Sequence, residues 1–240
     1  GGIWDIIEYN GHLYVTVVTD KNIDGKINKQ GFVLVPAMSE MLKCSEETIR
    51  RDLKEMESQG RLMRTHGGAY LIENFDKTYP TNLRKAYYHQ TKDCLARRAI
   101  EHMQENDIVM LDSSTTCLAL AEAMIRSQKM LTVITNSLQI CLLCNESNIN
   151  NINLICPGGA FRRRTSSFAD QHTIDMLRTY HADRAFISCP KLTVEYGLSD
   201  NHLSEARVRE TMLKQSQERY LIVDHTKFNS SANILFEGLE

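Results

Sequence analysis

The chain has 240 residues and carries 28 Lys and Arg against 30 Asp and Glu, a formal net charge of -2 at pH 7. Its 42% apolar and 24% charged residues are those of a folded globular protein, which excludes wholesale disorder. The near-zero charge excludes a global attraction to nucleic acid, so any basic footprint must be local. A chain of this length predicts one domain of roughly 170 residues beside a smaller one. It holds no run of about 18 apolar residues and no basic-then-apolar opening, so neither a membrane span nor a secretory signal is expected, and the cytoplasm is the expected compartment. The seven cysteines are odd in number and mostly sit in apolar runs, which fits reduced thiols without disulfides. Cys141 and Cys144 form a C-x-x-C, but no second pair or spaced His follows, so they read as core packing; no metal and no cofactor is expected.

Residues 1–28 are poorly periodic and unassigned, with a strand-like stretch over 13–18 followed by turn-rich residues from Asp20 to Gly25. Residues 29–72 form a compact helix-rich module. Val35 to Leu42 reads as a short helix with Pro36 tolerated in its first turn, and three residues separate it from a second helix. Ser45 is a good N-cap for that second helix, and Glu46 and Glu47 sit where the helix dipole favours negative charge. At 100° per residue, Ile49, Leu53 and Met56 share one stripe, while Glu47, Arg50, Arg51 and Lys54 project from the other side. That spacing is a helix-turn-helix, whose second helix enters the major groove and meets base edges and phosphates with its N-terminal residues. Ser45, Glu47, Thr48, Arg50, Arg51 and Lys54 are the candidates. The alternating stretch Arg61 to His66, closed by Gly67-Gly68, reads as a β-wing that places Arg64 and His66 near the DNA backbone or minor groove. Charge alone decides little here. From Lys43 to Gly68 six basic residues face five acidic ones, and a solvated face explains such a helix equally well.

Residues 73–91 are polar and suit a linker. From Lys92 onward helices alternate with short β-rich runs: helix 92–104, strand 108–111, helix 117–127, strand 131–135, helix 137–145, strand 153–156, helix 171–180, strand 184–188, helix 203–217 and strand 220–223. Such alternation over residues 92–240 predicts an α/β domain with a mostly parallel sheet covered on both faces. Ligands of such sheets sit beyond the carboxyl ends of the strands. The turns there are Asp112-Ser113-Ser114-Thr115-Thr116, Thr135-Asn136-Ser137, Pro157-Gly158-Gly159 and Asp224-His225-Thr226-Lys227. Small hydroxyl residues and glycines before a helix expose N–H groups to an anion, which suits phosphate. Ser113 to Thr116 forms the expected cradle and Thr135, Asn136, Ser137, Gly158 and Gly159 the walls. Asp112 is assigned to sugar hydroxyls, and Lys227 and Arg209 to compensating positive charge. Ordinary helix N-caps use the same residue types, so each turn also has a purely structural reading. The run Arg162-Arg163-Arg164 is either a flap over an anion or a solvated loop.

The string from Cys44 to Gly60, followed by Arg64-Thr-His-Gly-Gly-Ala69, resembles the winged helix-turn-helix signature of the DeoR family of sugar-metabolism regulators. The likeness runs from about Lys29 to Phe228, since Asp112-Ser-Ser-Thr-Thr, Thr135-Asn-Ser, Gly158-Gly159, Asp183, Gly197-Leu198, Glu205 and Asp224-His-Thr-Lys227 are similar to the family's effector domain. That domain in turn resembles ribose-phosphate isomerases and related enzymes. The resemblance implies a small winged helix-turn-helix domain and a larger Rossmann-like domain. It also implies a repressor of a sugar operon, bound to double-stranded operator DNA and controlled by a phosphorylated sugar or polyol. Glu205 joins the site residues on the same ground. Three departures stand out: Ser114 and Ala169 replace usual glycines, and Glu240 falls short of a terminal strand the family often carries. The family's opening helix is also thin here, with only Ile23 and Ile27 at helical spacing around Gly25. The rival reading is a sugar-phosphate isomerase-like enzyme with Glu205 or Asp112 as base and Lys227 as stabiliser. A fused DNA-binding module argues for a non-enzyme, and paired half-sites argue for a homo-oligomer.

Overall fold

The computed structural model describes residues 4–9, 12–19, 21–27, 32–58, 62–65, 67–70, 89–147 and 149–239. The chain divides into two compact units, Gly1–Tyr87 and Tyr88–Glu240.

The first unit opens with strands β1 (Trp4–Tyr9), β2 (His12–Thr19) and β3 (Lys21–Ile27), an antiparallel meander in which Trp4 lies opposite Val17 and Leu13 opposite Ile27. The strand expected over 13–18 lies within β2. The turn expected from Asp20 to Gly25 and the thin helix around Ile23 and Ile27 are both replaced by β3 from Lys21 onward. Residues four apart share a face in a strand as well as in a helix, so Ile23 and Ile27 did not discriminate. The edge of β2 supplies backbone partners that favour the strand.

Strand β4 (Phe32–Leu34) runs straight into α1 (Val35–Leu42), with Pro36 in its first turn. Helix α1 ends at Lys43, whose φ of 50° turns the chain left-handed, and the Ser39 hydroxyl donates to the Cys44 carbonyl at 2.6 Å across that turn. Helix α2 (Glu46–Ser58) follows. The Ser45 hydroxyl accepts the Thr48 N–H at 3.1 Å and shares a 2.9 Å hydrogen bond with the Thr48 hydroxyl, the N-cap the sequence predicts. Strands β5 (Met63–Thr65) and β6 (Gly68–Tyr70) form the wing, and β6 pairs with both β4 and β5. Val35, Met38, Leu42, Ile49, Leu53, Met56, Leu62 and Ala69 make the core between helices and wing. The Ile49, Leu53 and Met56 stripe is thus the packed face of α2.

The second unit contains, in order, all ten elements expected from Lys92 onward, the first of them beginning at His89, inside the stretch expected as linker. They are α3 (His89–Ile100), β7 (Ile108–Leu111), α4 (Thr115–Ser127), β8 (Leu131–Thr135), α5 (Leu138–Glu146), β9 (Ile152–Ile155), α6 (Gln171–Leu177), β12 (Ala182–Ile187), α7 (Leu203–Lys214) and β15 (Ser216–Leu221). Five strands pair in parallel in the order β15-β12-β7-β8-β9. Alternate residues feed two cores. Val109, Leu111, Val133 and Phe186 pack on one face, with residues of α3, α4 and α5. Met110, Ile134, Ala185 and Ile187 pack on the other, with Ile174, Leu177, Val208 and Met212 of α6 and α7. The fold is a doubly wound α/β sheet.

Five short strands lie outside the expected set: β10 (Phe161–Arg162) and β11 (Ser167–Phe168), which form a hairpin, and β13 (Lys191–Thr193), β14 (Gly197–Asp200) and β16 (Ile234–Glu237), which form a small antiparallel sheet. Two to four residues give too little periodicity to read. The last parallel strand also begins four residues earlier than expected. As an edge strand, β15 exposes Gln217, Glu218 and Arg219, so it carries no apolar signature there.

The Gly158-Gly159 turn is set by its neighbours. Gly159, at φ 112°, faces Asp170 and Thr173 at the start of α6, and a Cβ there would lie 2.2 Å from the Thr173 hydroxyl and 2.3 Å from Asp170 Oδ1. A Cβ on Gly158, at φ 70°, meets nothing within 4 Å. Gly158→Ala therefore costs about 1 kcal/mol, the left-handed penalty alone. Gly159→Ala costs roughly 3 kcal/mol or more, because the Asp170 and Thr173 side chains at the start of α6 must give way. Urea unfolding at unchanged m-value checks the difference.

Candidate functional site

On α2 the polar face is presented. Ser45, Glu47, Arg50, Arg51 and Lys54 are exposed and Thr48 is half-buried. Ser45 and Thr48 are engaged with each other as the cap. Arg50 is held along the helix by Glu46 at 2.6 Å and approaches Glu47 at 4.0 Å. Arg51, with its side chain 77% exposed, lies 3.9 Å from Asp52. Arg64 of β5 is tied back to α2, its N–H donating to Glu57 at 2.8 Å and its guanidinium 4.0 Å from the same carboxylate. Its direction is therefore fixed by α2, an anchoring Glu57 gave no hint of in the sequence. His66 lies outside the described residues. Burial raises the carboxyl of Asp52, which faces into the core with its Oδ2 unpartnered.

In the second unit the sheet order reverses beside β7: β8 and β9 lie on one side, β12 and β15 on the other. Such a switch point opens a crevice at the carboxyl ends of the strands. Asp112 stands there, 1% exposed. Its Oδ1 accepts the Ser114 N–H at 3.0 Å, and its Oδ2 accepts the Ser188 N–H at 3.2 Å and Arg209 Nε at 2.7 Å. Arg209 also donates to Asp200 and lies 3.9 Å from Glu205. Burial opposes the Arg209 charge, yet Asp112, Asp200 and Glu205 together hold the guanidinium more firmly protonated than an ordinary arginine.

Glu205, 2% exposed, gathers the surrounding hydroxyls. It accepts from Thr165 at 2.8 Å, Ser167 at 2.6 Å and Ser113 at 3.4 Å, and Arg162 Nε lies 3.4 Å away. Arg162 donates in addition to Ser204 at 2.9 Å. The β10–β11 hairpin is thereby pinned to α7. It is pinned to β8 as well: Leu138 donates to the Ser166 carbonyl, Phe168 to the Asn136 carbonyl, and Asn136 Nδ2 to the Phe168 carbonyl, each at 2.9 Å. Asn136 is 1% exposed, and its Oδ1 is a buried acceptor without a partner. Thr135 accepts the Ser137 N–H and Ser137 caps α5, while Ser114 caps α4. The buried Thr115 and Thr116 begin α4, ahead of its first intrahelical donor.

Asp112 thus accepts from three donors within the protein, and Arg209 is surrounded by three carboxylates. Lys227 lies 3.9 Å from Asp224, beyond β15. Burial raises the Asp224 carboxyl, but Lys227, the Thr226 hydroxyl and N–H, and Lys92 outweigh it and hold the group below the ordinary carboxylate range. Lys92, 5% exposed in the first turn of α3, is a site cation that the sequence reading missed. A lysine near a helix N-terminus, against the dipole, was its signal. Gly158 and Gly159 line the β9 turn.

A winged helix-turn-helix joined to a doubly wound sheet with a polar crevice at its switch point defines a DNA-binding regulator of transcription with a separate ligand-sensing unit. Residues 20–75 match the DeoR-like helix-turn-helix domain and residues 88–240 the DeoR C terminal sensor domain. The chain belongs to the DeoR family. It is 33% identical over 197 residues to the L-fucose operon activator of Escherichia coli, covering 81% of this chain and 79% of that protein. It is 31% identical over 204 residues to the HTH-type transcriptional regulator YulB of Bacillus subtilis, covering 85% and 78%. It is 28% identical over 210 residues to the glycerol-3-phosphate regulon repressor of Escherichia coli, covering 87% and 81%. Ribose 5-phosphate isomerase A from Neisseria gonorrhoeae superposes on 63% of this chain and 56% of its own, with a TM-score of 0.42 and 13% identity, too distant to bear on function. Among the described residues no helix is long and apolar enough to cross a membrane.

Removing Arg209 strands three buried carboxylates. Arg209→Met is expected to cost about 3 to 5 kcal/mol, whereas Glu205→Gln, which keeps an acceptor for the hairpin hydroxyls, costs about 1 to 2 kcal/mol. Denaturant unfolding of the two variants against the parent checks the order.

Proposed function

We propose that this regulator represses a carbohydrate operon and is released by a phosphorylated sugar or polyol bound in the crevice of its second unit. Residues 29–72 read the operator, 73–91 link, and 92–240 sense. The reading is carried by the convergence of the Asp112 turn, the Asn136 turn and Glu205 at the switch point of a sheet fused to a winged helix-turn-helix. Asn136 Oδ1, buried and without a donor, supports a hydroxyl-bearing ligand, since buried acceptors are nearly always paired. The Lys92 and Lys227 cations around Asp224 support its phosphate. The name of the glycerol-3-phosphate regulon repressor points to a phosphorylated polyol, and that of the L-fucose operon activator to a sugar operon. Ser113, Ser114, Thr115, Thr116, Thr135, Ser137, Gly158 and Gly159 complete the walls, while Asp112 and Arg209 hold them.

The sensing unit acts without catalysis. The carboxylates offered as general base, Asp112 and Glu205, are each engaged by three hydrogen bonds within the protein, and the fused DNA-binding module gives the ligand site a regulatory use. On DNA, Arg51 and Lys54 grip at once, and Arg50 exchanges Glu46 for phosphate or a guanine edge. An exposed ion pair is worth only about 0 to 1 kcal/mol, so the exchange costs little. The protein works in the cytoplasm as a homo-oligomer that spans two half-sites.

Gel-shift on DNA upstream of the protein's own operon tests this. Arg51→Ala is expected to weaken binding about tenfold and the Arg50→Ala, Arg51→Ala pair about a hundredfold at moderate salt. A phosphosugar panel should release the complex with the sugar recovered unchanged. Tight binding by the double variant refutes the DNA assignment, and consumption of a phosphosugar refutes the non-catalytic one.

A further inference from the structure

The two edges of the parallel sheet are finished differently. On one side β15 exposes Gln217, Glu218 and Arg219, a charged edge of the kind that resists pairing with another chain. On the other side β9 reads Ile-Asn-Leu-Ile, without charge or proline, and among the described residues no further strand pairs with it. From Met130 to Phe161 the only charged residue is Glu146, in a chain that is 24% charged. Strand β8 lies in the core, so its lack of charge is expected there, but α5 and β9 are largely half-buried or exposed.

Helix α5 shows the same departure. A helix that is apolar on all sides belongs in a core. Leu138, Ile140, Cys141, Leu142, Leu143 and Cys144 surround the axis of α5, yet of its residues only Ile140 is fully buried. Leu143 and Cys144 pack inward with it, in one cluster with Ile152 and Leu154 of β9. Leu138 and Leu142, two residues to either side of Ile140, lie on the opposite face, and Leu142 is 43% exposed. Ile149, ahead of β9, is exposed as well. The exposed polar residues Asn145, Asn150 and Asn153 are neutral.

We propose that the outer face of α5 and the edge of β9 form a two-fold contact with a second copy of this chain. The two β9 strands pair antiparallel, the two sheets join into one, and α5 packs beside its counterpart. A two-fold contact sets a patch against itself, so a patch bearing charge of one sign repels its copy and an uncharged one does not. The backbone is self-complementary too, because a two-fold axis across the edge reverses the strand, and antiparallel strands exchange N–H and C=O groups pairwise. Four residues of strand span only about 13 Å, whereas a stable dimer buries about 800 Å² on each partner, so α5 must share the contact. Loss of charge around apolar side chains is also the composition of a homodimer centre. The need for a copy rests on the proposed reading of paired half-sites; the surface does not.

Sedimentation equilibrium of the full chain is expected to show a dimer at micromolar concentration. Leu142→Glu and Ile149→Glu, both at exposed positions, are each expected to weaken it about a hundredfold or more, since each charge enters the contact twice. Val194→Glu is the control: Val194 is 89% exposed, beside Glu195 at the β13–β14 turn, and its substitution is expected to leave the dimer unchanged. The β9 amides are expected to exchange hydrogen at least tenfold more slowly in the parent than in dissociated Leu142→Glu. A monomeric parent, a dimer that survives both glutamates, or dissociation by Val194→Glu overturns the proposal. Equal β9 exchange in the dimer and in dissociated Leu142→Glu overturns the strand pairing. Gel-shift on DNA upstream of the protein's own operon separates this contact from the DNA reading, with Leu142→Glu expected to bind at least about tenfold more weakly than the parent. A dissociated Leu142→Glu that binds as tightly as the parent overturns the paired half-sites and leaves the contact standing. A dimeric Leu142→Glu, with DNA binding lost only in the Arg50→Ala, Arg51→Ala pair, does the reverse.

Discussion

The second unit is organised around one buried cation. Arg209 reaches from α7 to Asp112 after β7 and to Asp200 at the end of β14, with Glu205 one turn away on its own helix. A guanidinium in such a place is tolerated only if carboxylates and hydrogen bonds replace the water it has lost. Once those partners are fixed, much else follows. Asp112 turns the chain from β7 into α4 by accepting the Ser114 N–H, and ties β7 to the end of β12 through Ser188. Glu205, oriented beside the same cation, collects Thr165 and Ser167 and thereby seats the hairpin that roofs the end of β8. The crevice is thus shaped by the solvation needs of a single arginine.

That arrangement separates charge within the site. Three carboxylates with Arg209 and Arg162 leave a formal excess of negative charge around Glu205, which suits hydroxyl donors and repels phosphate. Lys92 and Lys227 gather instead around Asp224, at the end of β15. The proposed ligand, with hydroxyls at one end and an anionic group at the other, matches this polarity. The residue types along the turns foreshadowed the chemistry, but their division into an acidic and a basic end is a property of the packed structure.

What was legible in the sequence follows from how each element is stabilised. Strands β7 and β8 are covered on both faces, so Ile-Val-Met-Leu and Leu-Thr-Val-Ile-Thr announce themselves as short apolar runs. Helix α2 was legible because its cap, its acidic first turn and its apolar stripe agree. Strand β15 hid its first half because an edge strand needs no apolar face there, and β10 and β11 because two residues have no period. Ile23 and Ile27 misled because a spacing of four satisfies strand and helix alike. At the site, the turn residues could be named from their types, yet the partners of Asp112 and Arg209 could not. Asp112 and Arg209 are separated by 97 residues, and nothing local in either marks the other.

The recognition helix shows why a near-neutral chain is compatible with binding a polyanion. Net charge governs long-range attraction, but contact with DNA depends on which cations can leave their partners at low cost. On α2 the acidic residues serve the protein first: Glu46 and Glu47 stabilise the helix start, and Glu57 fixes the wing through the Arg64 N–H. The pairs they make with Arg50 are exposed and easily exchanged, and Arg51 and Lys54 stand on the presented side. The same glutamates that cancel the charge in a count thus hold Arg50 in exposed pairs, and in the proposed DNA complex a phosphate takes their place at little electrostatic cost.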